Sequence, residues 1–304
     1  MRLRLESSKE FIGNKGTVQG LQCDVSTSEF VTSLSKARAL SLTQLIDSAQ
    51  NSAELPPFAA RKLANKLASA SGAMFGKIGR AISKPLYLRA HSSVLRADIT
   101  TALDKSLTWW KRTLSCLQQP RLTPSSPRAF CVSFSDGEAT PIVGAALWYR
   151  DAAGQLKCKK TRCLAPRSVP GLWSNDTANA DHINAVEALG PLLLLCTFNE
   201  ILRGSLWVHY IDNGGALGCI VNGHSDGSKI GHSLSSIAAE FWHRAAHDKI
   251  FPWLYYVPSD LNIMDGYSRG EPFDKDPFGT VAEWSDPQLP PGWTVTLSKY
   301  DADN

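Results

Sequence analysis

The chain has 304 residues, 43 % hydrophobic and 20 % charged, with a formal net charge of +4 at pH 7. That length suits one large domain or two ordinary ones, and the composition is that of a globular protein rather than a disordered one. The longest apolar stretch, Leu192–Cys196, is far too short to cross a bilayer, and the polar residues after Met1 rule out the apolar core of a secretory signal.

Residues 1–34 read as short strand pieces with turns at Gly13-Asn14 and Lys15-Gly16. Ser35 caps a helix over Lys36–Ala49, whose apolar face carries Leu40, Leu42, Leu45 and Ile46. Leu55-Pro56-Pro57 breaks it, and Pro57 opens a second helix to about Ala70. A segment over Met74–Ile82 is ended or kinked by Pro85, and a third helix is predicted over Ser92–Leu117. The Pro- and Ser-rich stretch Gln118–Arg128 has no apolar period and marks a domain boundary.

Beyond it, strands are predicted over Ala129–Ser135, Ile142–Tyr149 and Gln155–Leu164, the last two joined by the turn Asp151-Ala152-Ala153-Gly154. A helix over Ala180–Phe198, capped by Asn179, leads to a strand over Leu206–Ile211 and a short helix over Asn213–Val221. A helix over Ser233–His247 and a strand over Phe251–Val257 complete the order β-β-β-α-β-α-α-β. An antiparallel meander followed by crossovers gives an α/β fold, a five-stranded mixed sheet flanked by helices. The Pro-, Asp- and Trp-rich tail after Phe278 reads as a loosely attached extension. The expected organisation is therefore 1–128, 129–278 and 279–304.

Charge divides along the same line. Residues 1–130 hold 19 Lys/Arg against 8 Asp/Glu, and residues 131–304 hold 13 against 20. Between Arg61 and Arg89 there are seven basic residues (Arg61, Lys62, Lys66, Lys77, Arg80, Lys84, Arg89) and no acidic one. Unmixed basic charge suits contact with phosphates, without sequence reading and with steep salt dependence; the bland alternative is a solvated helix face.

Four acids mark the second half: Asp136 after the first strand's apolar run, Glu187 on the first helix, Asp212 at the end of the fourth strand and Asp265 beyond the fifth. If they converge, their like charges need divalent cations to coexist, and such a cluster suits phosphodiester chemistry. Each also has a bland reading. Asp212 can cap the following helix, Asp265-Gly266 can form a turn, and Glu138, Asp181 or Asp260 is the ligand if the register is shifted. Cys158 and Cys163 lack a second ligand pair for zinc, and the seven cysteines are irregularly spaced, with several (Cys131, Cys196, Cys219) inside apolar runs, as buried reduced thiols of an intracellular (cytoplasmic or nuclear) protein are. Asp212-Asn-Gly-Gly-Ala-Leu-Gly218 has the wrong glycine spacing for a dinucleotide loop, and neither a Gly-x-Ser-x-Gly nor a P-loop sequence is present.

Element order and local words together resemble ribonuclease H. Phe134-Ser135-Asp136-Gly137 resembles its first-strand motif, His182-Ile-Asn-Ala-Val-Glu187 its first-helix motif, and Tyr210-Ile211-Asp212-Asn213 its fourth-strand signature. Asn262-Ile-Met-Asp265-Gly-Tyr-Ser268-Arg269 is similar to the Asn-x-x-Asp-x-x-Ser-Arg ending of ribonuclease H regions in reverse-transcribing retroelements. The resemblance covers roughly residues 129–270. A weaker likeness links Gly20–Val25, Leu34-Ser35-Lys36, Ala60–Leu67, Phe75–Ala81 and Pro85-Leu86-Tyr87 to the thumb and connection of a retroelement polyprotein. No Tyr-x-Asp-Asp polymerase signature occurs.

What the resemblance implies is endonucleolytic cleavage of the RNA strand of RNA–DNA hybrids by two Mg²⁺ ions, with Mn²⁺ as a substitute. Asp136 and Asp212 would be the main ligands, and Glu187 and Asp265 would complete the two shells. Asn213 and Arg269, with the seven basic residues above, would contact nucleic acid, and the rest of a reverse transcriptase would be a partner. The competing reading is a non-catalytic nucleic-acid-binding remnant or scaffold. A related exonuclease or strand-transfer enzyme would share the acids but lack the Asn262–Arg269 ending.

Overall fold

A computed structural model describes residues 15–18, 21–24, 30–71, 77–92, 98–116, 121–123, 129–167, 169, 180–225, 231–273 and 276–297. Contacts divide the chain into two compact units, one from residues 1–75 and 85–127, the other from 76–84 and 128–304.

In the first unit, β1 (Lys15–Val18), β2 (Leu21–Asp24), β3 (Phe30–Leu34) and β4 (Arg121–Thr123) form an antiparallel four-stranded sheet in that order. Lys15-Gly16 is strand rather than turn, and Gly13-Asn14 lies outside the described residues. The sequence marks residues 1–128 as a mainly helical basic region that ends in a domain boundary at 118–128 with no apolar period. Three residues of that boundary pair with β3, because a partner strand, not a local period, decides so short a piece.

α1 (Lys36–Ser52) and α2 (Pro57–Ser71) follow the predicted spans to within a few residues. The Ser35 hydroxyl accepts from the Arg38 amide at 3.3 Å, the N-cap its position suggested. Leu42 and Ile46 are buried, but Leu40 and Leu45 of the expected apolar face are exposed. Pro85 does not end a helix but sits in the first turn of α3 (Lys84–Ala90), where its fixed φ costs nothing. α4 (Thr101–Cys116) begins later than expected; Thr100 Oγ1 accepts from the Leu103 amide, and Asp98 makes a bridge to Glu54.

The second unit is a six-stranded mixed sheet with helices against it, a ribonuclease H-like fold. β5 (Phe130–Gly137), β6 (Ile142–Arg150) and β7 (Leu156–Leu164) form the antiparallel meander. α5 (Ala180–Thr197) and α6 (Asn199–Leu202) lead to β8 (Leu206–Ile211), parallel to β5; α7 (Gly214–Asn222) and α8 (Gly231–His247) lead to β9 (Phe251–Tyr256), parallel to β8. α9 (Asp265–Ser268) and β10 (Ala282–Trp284) follow, giving the order β10-β7-β6-β5-β8-β9.

β10 corrects the five-strand expectation. It pairs in parallel with Cys158–Lys160 of β7, and Thr296 bridges Leu164, so residues read as a loose extension belong to the sheet. A side chain holds the return: Asp276, buried, accepts from Trp148 Nε1 and from the amides of Phe278 (2.8 Å) and Thr280 (2.7 Å). Asp276→Ala leaves a buried indole N–H unpaired and is expected to cost about 1–3 kcal/mol in urea unfolding; Asp276→Asn, which keeps an acceptor, should recover part of it.

Strand alternation gives the sheet two faces. Cys131, Ser133 and Ser135 of β5 and Trp207, His209 and Ile211 of β8 are buried, on the face where α5 meets β5 and β6. α9 packs against β5 and β6 from the other face, where Met264, Tyr267 and Phe273 join a cluster with Trp148, Cys158 and Ala282. Cys131, Cys158, Cys163, Cys196 and Cys219 are buried and in no disulfide. Cys158 and Cys163 lie five positions apart on β7 and so point to opposite faces, which bars a shared zinc.

Candidate active site

The site lies at the carboxyl ends of β5 and β8. Two close approaches bring the helix that carries Glu187 onto the strand that carries Asp136. A Cβ at Gly137 would stand 3.0 Å from the Glu187 amide nitrogen and the same distance from Val186 Cγ1. One at Gly190 would stand 2.1 Å from Ser135 Oγ and 2.5 Å from Ser135 Cβ. Only glycine permits this contact, and Gly190 lies less than one turn from Glu187. Pro191 follows inside α5 and has no amide to donate to the Glu187 carbonyl.

Carboxylate oxygens of Asp136, Glu187 and Asp212 all lie within 4.8 Å of one another. Asp136 and Glu187 are each 5 % exposed. The sequence's acids thus converge for three of the four. Asp265 is not in this group: its Oδ1 accepts from Arg269 Nη2 at 2.6 Å. Of the alternative acids, Glu138 accepts from the Thr140 hydroxyl and Asp260 is exposed, neither in the group; the Asp181 side chain and the cap residue Asn179 lie outside the described residues.

The cap of α7 is Asn213, whose Oδ1 accepts from the Ala216 amide at 2.9 Å. The carboxylate of Asp212 is thereby left to the site, and Asn213, expected to contact nucleic acid, has its oxygen committed to the helix. Asp136 is held by residues that the motif contained but to which the sequence assigned no role. Ser268 Oγ bonds its Oδ2, and Asn262 Nδ2 lies 3.5 Å from its Oδ1 while donating to the Ser135 carbonyl at 3.0 Å.

Beneath the acids runs a buried polar chain that no sequence pattern singled out. Trp207 Nε1 donates to Ser133 Oγ at 2.7 Å, and the His209 ring lies between Ser133 Oγ (Nδ1, 2.8 Å) and Ser135 Oγ (Nε2, 3.1 Å). Complete burial pushes the His209 pKa down to about 3, so the ring is neutral at physiological pH. The only signal was the unusual pair of serines in an otherwise apolar strand.

Crowded charge shifts the acids. Burial, then the charges of Asp136 and Asp212, push the Glu187 carboxyl up to about 10. Burial pushes Asp136 up to about 6, against the lowering hydrogen bond from Ser268 and with raising contributions from Asp212 and Asp265. Two buried oxygens, Glu187 Oε2 and Asp212 Oδ1, have no hydrogen-bond partner. A hard divalent cation fits this set: oxygen donors at short mutual range, excess negative charge and unpaired lone pairs.

Both folded pKa values are raised, so these carboxyls stabilise the metal-free fold below about pH 4, and that stability is lost as pH rises through about 6 for Asp136 and about 10 for Glu187. Glu187→Gln is expected to stabilise the metal-free chain at pH 8 by on the order of 2 kcal/mol, with no gain at pH 4. Thermal unfolding at the two pH values checks this.

The seven basic residues do not share one environment. Arg61 and Lys62 are exposed on α2, and Lys66 is half-buried. Arg89 is buried and donates to the Leu55 carbonyl at 3.0 Å and to the Asp98 carbonyl at 2.6 Å. It ties backbone together and offers no charge to a phosphate, which corrects its assignment. Lys77, Arg80 and Lys84 lie in the second unit. Arg80 Nη1 reaches the Asn222 carbonyl at 3.4 Å and Lys84 Nζ the Ser225 carbonyl at 3.2 Å, cations at the carboxyl end of α7.

The second unit thus combines a six-stranded mixed sheet flanked by helices, an arrangement consistent with a ribonuclease H-like fold, with a group of three carboxylates. No family model matches the sequence, and no curated protein matches it. Among solved structures it is similar to a foamy viral protease–reverse transcriptase in complex with an RNA/DNA hybrid, at 12 % identity and a TM-score of 0.29, over 87 % of this chain and 32 % of that one. It is also similar to the foamy viral protease–reverse transcriptase dRH in complex with double-stranded DNA, at 13 % identity and a TM-score of 0.27, over 80 % and 38 %. The chain spans about a third of the length of these proteins, and at those TM-scores the likeness carries no argument for function. No helix among the described residues is long and apolar enough to cross a membrane.

Proposed function

We propose that this chain is a metal-dependent nuclease that hydrolyses the RNA strand of RNA–DNA hybrids, with Asp136, Glu187 and Asp212 as the primary ligands of Mg²⁺. The observation that carries the reading is the set of three acids within 4.8 Å of one another, two of whose buried oxygens lack any partner. The choice of hybrid rests on the sequence resemblance at Asp136, Glu187, Asp212 and Asn262–Arg269. Mg²⁺, or Mn²⁺ in its place, would supply Lewis-acid activation and neutralise the charge developing on a scissile phosphate.

The chain's own residues supply position and pre-organisation. Ser268 and Asn262 fix the Asp136 carboxylate from two sides, which removes the cost of ordering it when a ligand arrives. The glycine contacts fix the separation of the Glu187 helix from β5. The Asn213 cap leaves Asp212 free of helix duty. Arg269 and the exposed Arg61 and Lys62 are the cations able to meet phosphates, through charge rather than base reading.

The test is cleavage of a labelled RNA–DNA hybrid with Mg²⁺ and with a chelator, beside single-stranded RNA and duplex DNA. Mg²⁺-dependent cutting of the RNA strand of the hybrid supports the proposal. Tight hybrid binding with no turnover at any Mg²⁺ concentration would establish the non-catalytic scaffold instead.

A further inference from the structure

Asp265 is the one motif acid outside the three-acid group, and its carboxylate has a partner of its own. Its backbone is tied to the site, since the Ser268 hydroxyl bonds both the Asp265 carbonyl (2.9 Å) and the Asp136 carboxylate. Its charge is also felt there, raising the pKa of both Asp136 and Glu187. Its carboxylate nevertheless pairs with Arg269 one turn on, at 2.6 Å, with the two side chains 37 % and 60 % exposed. An exposed pair of this kind is weak and exchangeable.

We infer that Arg269 is a latch: it holds the Asp265 carboxylate away from the three-acid group, and a phosphate that takes the guanidinium releases Asp265 to join that group. Arg269 is thus a positioning residue that couples occupancy by a polyanion to completion of the cation site. The Arg269–Asp265 pair is a single contact, Nη2 to Oδ1, and a phosphate can offer the guanidinium two parallel hydrogen bonds in its place. The released carboxylate moves where the other acids and a cation await it. The fourth ligand is then supplied more fully with substrate present than in the free protein. The inference rests on the reading of the three acids as a cation site.

Its test needs no cleavage. Mg²⁺ is titrated calorimetrically into the full chain without nucleic acid, for the wild type, Arg269→Gln, Asp265→Ala and the double variant. Arg269→Gln should tighten the weaker binding step about 2–5-fold, the range an exposed pair can hold back. The same change should have no effect once Asp265 is gone. Equal tightening with and without Asp265 would show only general loss of positive charge, and no tightening would show no latch; either overturns the inference while leaving the three-acid site standing. Asp136→Asn in parallel separates the two ideas: Mg²⁺ binding identical to wild type would remove the cation site, and the latch with it. Arg269→Lys, which keeps a weaker pair, should lie between wild type and Arg269→Gln.

Discussion

Asp136→Asn is expected to lower Mg²⁺-dependent cleavage of an RNA–DNA hybrid by on the order of 10³-fold or more, the consequence of losing several kcal/mol of transition-state charge stabilisation. The fold should survive. The asparagine keeps the shape and one oxygen toward Ser268, giving up only the 3.5 Å contact from Asn262, and it removes a buried carboxylate whose pKa stands at about 6. Unfolding in the absence of metal should therefore occur at an equal or higher denaturant concentration than in wild type. A variant that is inactive because it is unfolded would show the opposite, and one that cuts at the wild-type rate would remove Asp136 from the chemistry. Separating the two needs only a cleavage assay and a denaturation curve on the same preparation.

Gly190→Ala is the second large effect. A new methyl would lie 2.1 Å from Ser135 Oγ and 2.5 Å from Ser135 Cβ, inside the distance any real contact allows. The obstacle includes Cβ, so no rotamer change of Ser135 clears it, and α5 must move off β5. The expected cost is about 1–3 kcal/mol for an overpacked core, at or above the upper end here because both elements are rigid. Activity should fall further than stability alone explains, since the same movement draws Glu187 away from Asp136. Ser135→Gly combined with Gly190→Ala should recover stability relative to Gly190→Ala by opening the space on the strand side. Stability equal to wild type in the single variant would show that the contact is not tight.

Much of this was legible in the sequence, for reasons that can be named. The strands and helices of the second unit were readable because period-2 and 3.6-residue patterns are strong where one face is buried, as in Cys131, Ser133 and Ser135 against Phe130 and Phe134 of β5. All four acids lie on or just after the elements that the patterns predicted, and Asp136, Glu187 and Asp212 come together. What was missed depends on distant partners. β4 and β10 are three residues each and exist only by pairing with β3 and β7. Arg89 looked like one more cation in a basic run, yet its partners are the carbonyls of Leu55 and Asp98. Asp265 was expected among the ligands from its place in the motif, and its carboxylate accepts a hydrogen bond from Arg269 one turn away, a partner that the ligand reading did not include. Gly190 and the Ser133–His209–Ser135 chain are contacts between β5, α5 and β8, which no spacing within one element displays.

The most direct measurement is anomalous diffraction from a crystal of the protein grown or soaked with Mn²⁺. A peak within coordination distance, about 2.0–2.6 Å, of oxygens from Asp136, Glu187 and Asp212 is the result expected. Fully occupied Mn²⁺ elsewhere on the protein, with those three carboxylates bare, would contradict a hydrolytic centre at this place.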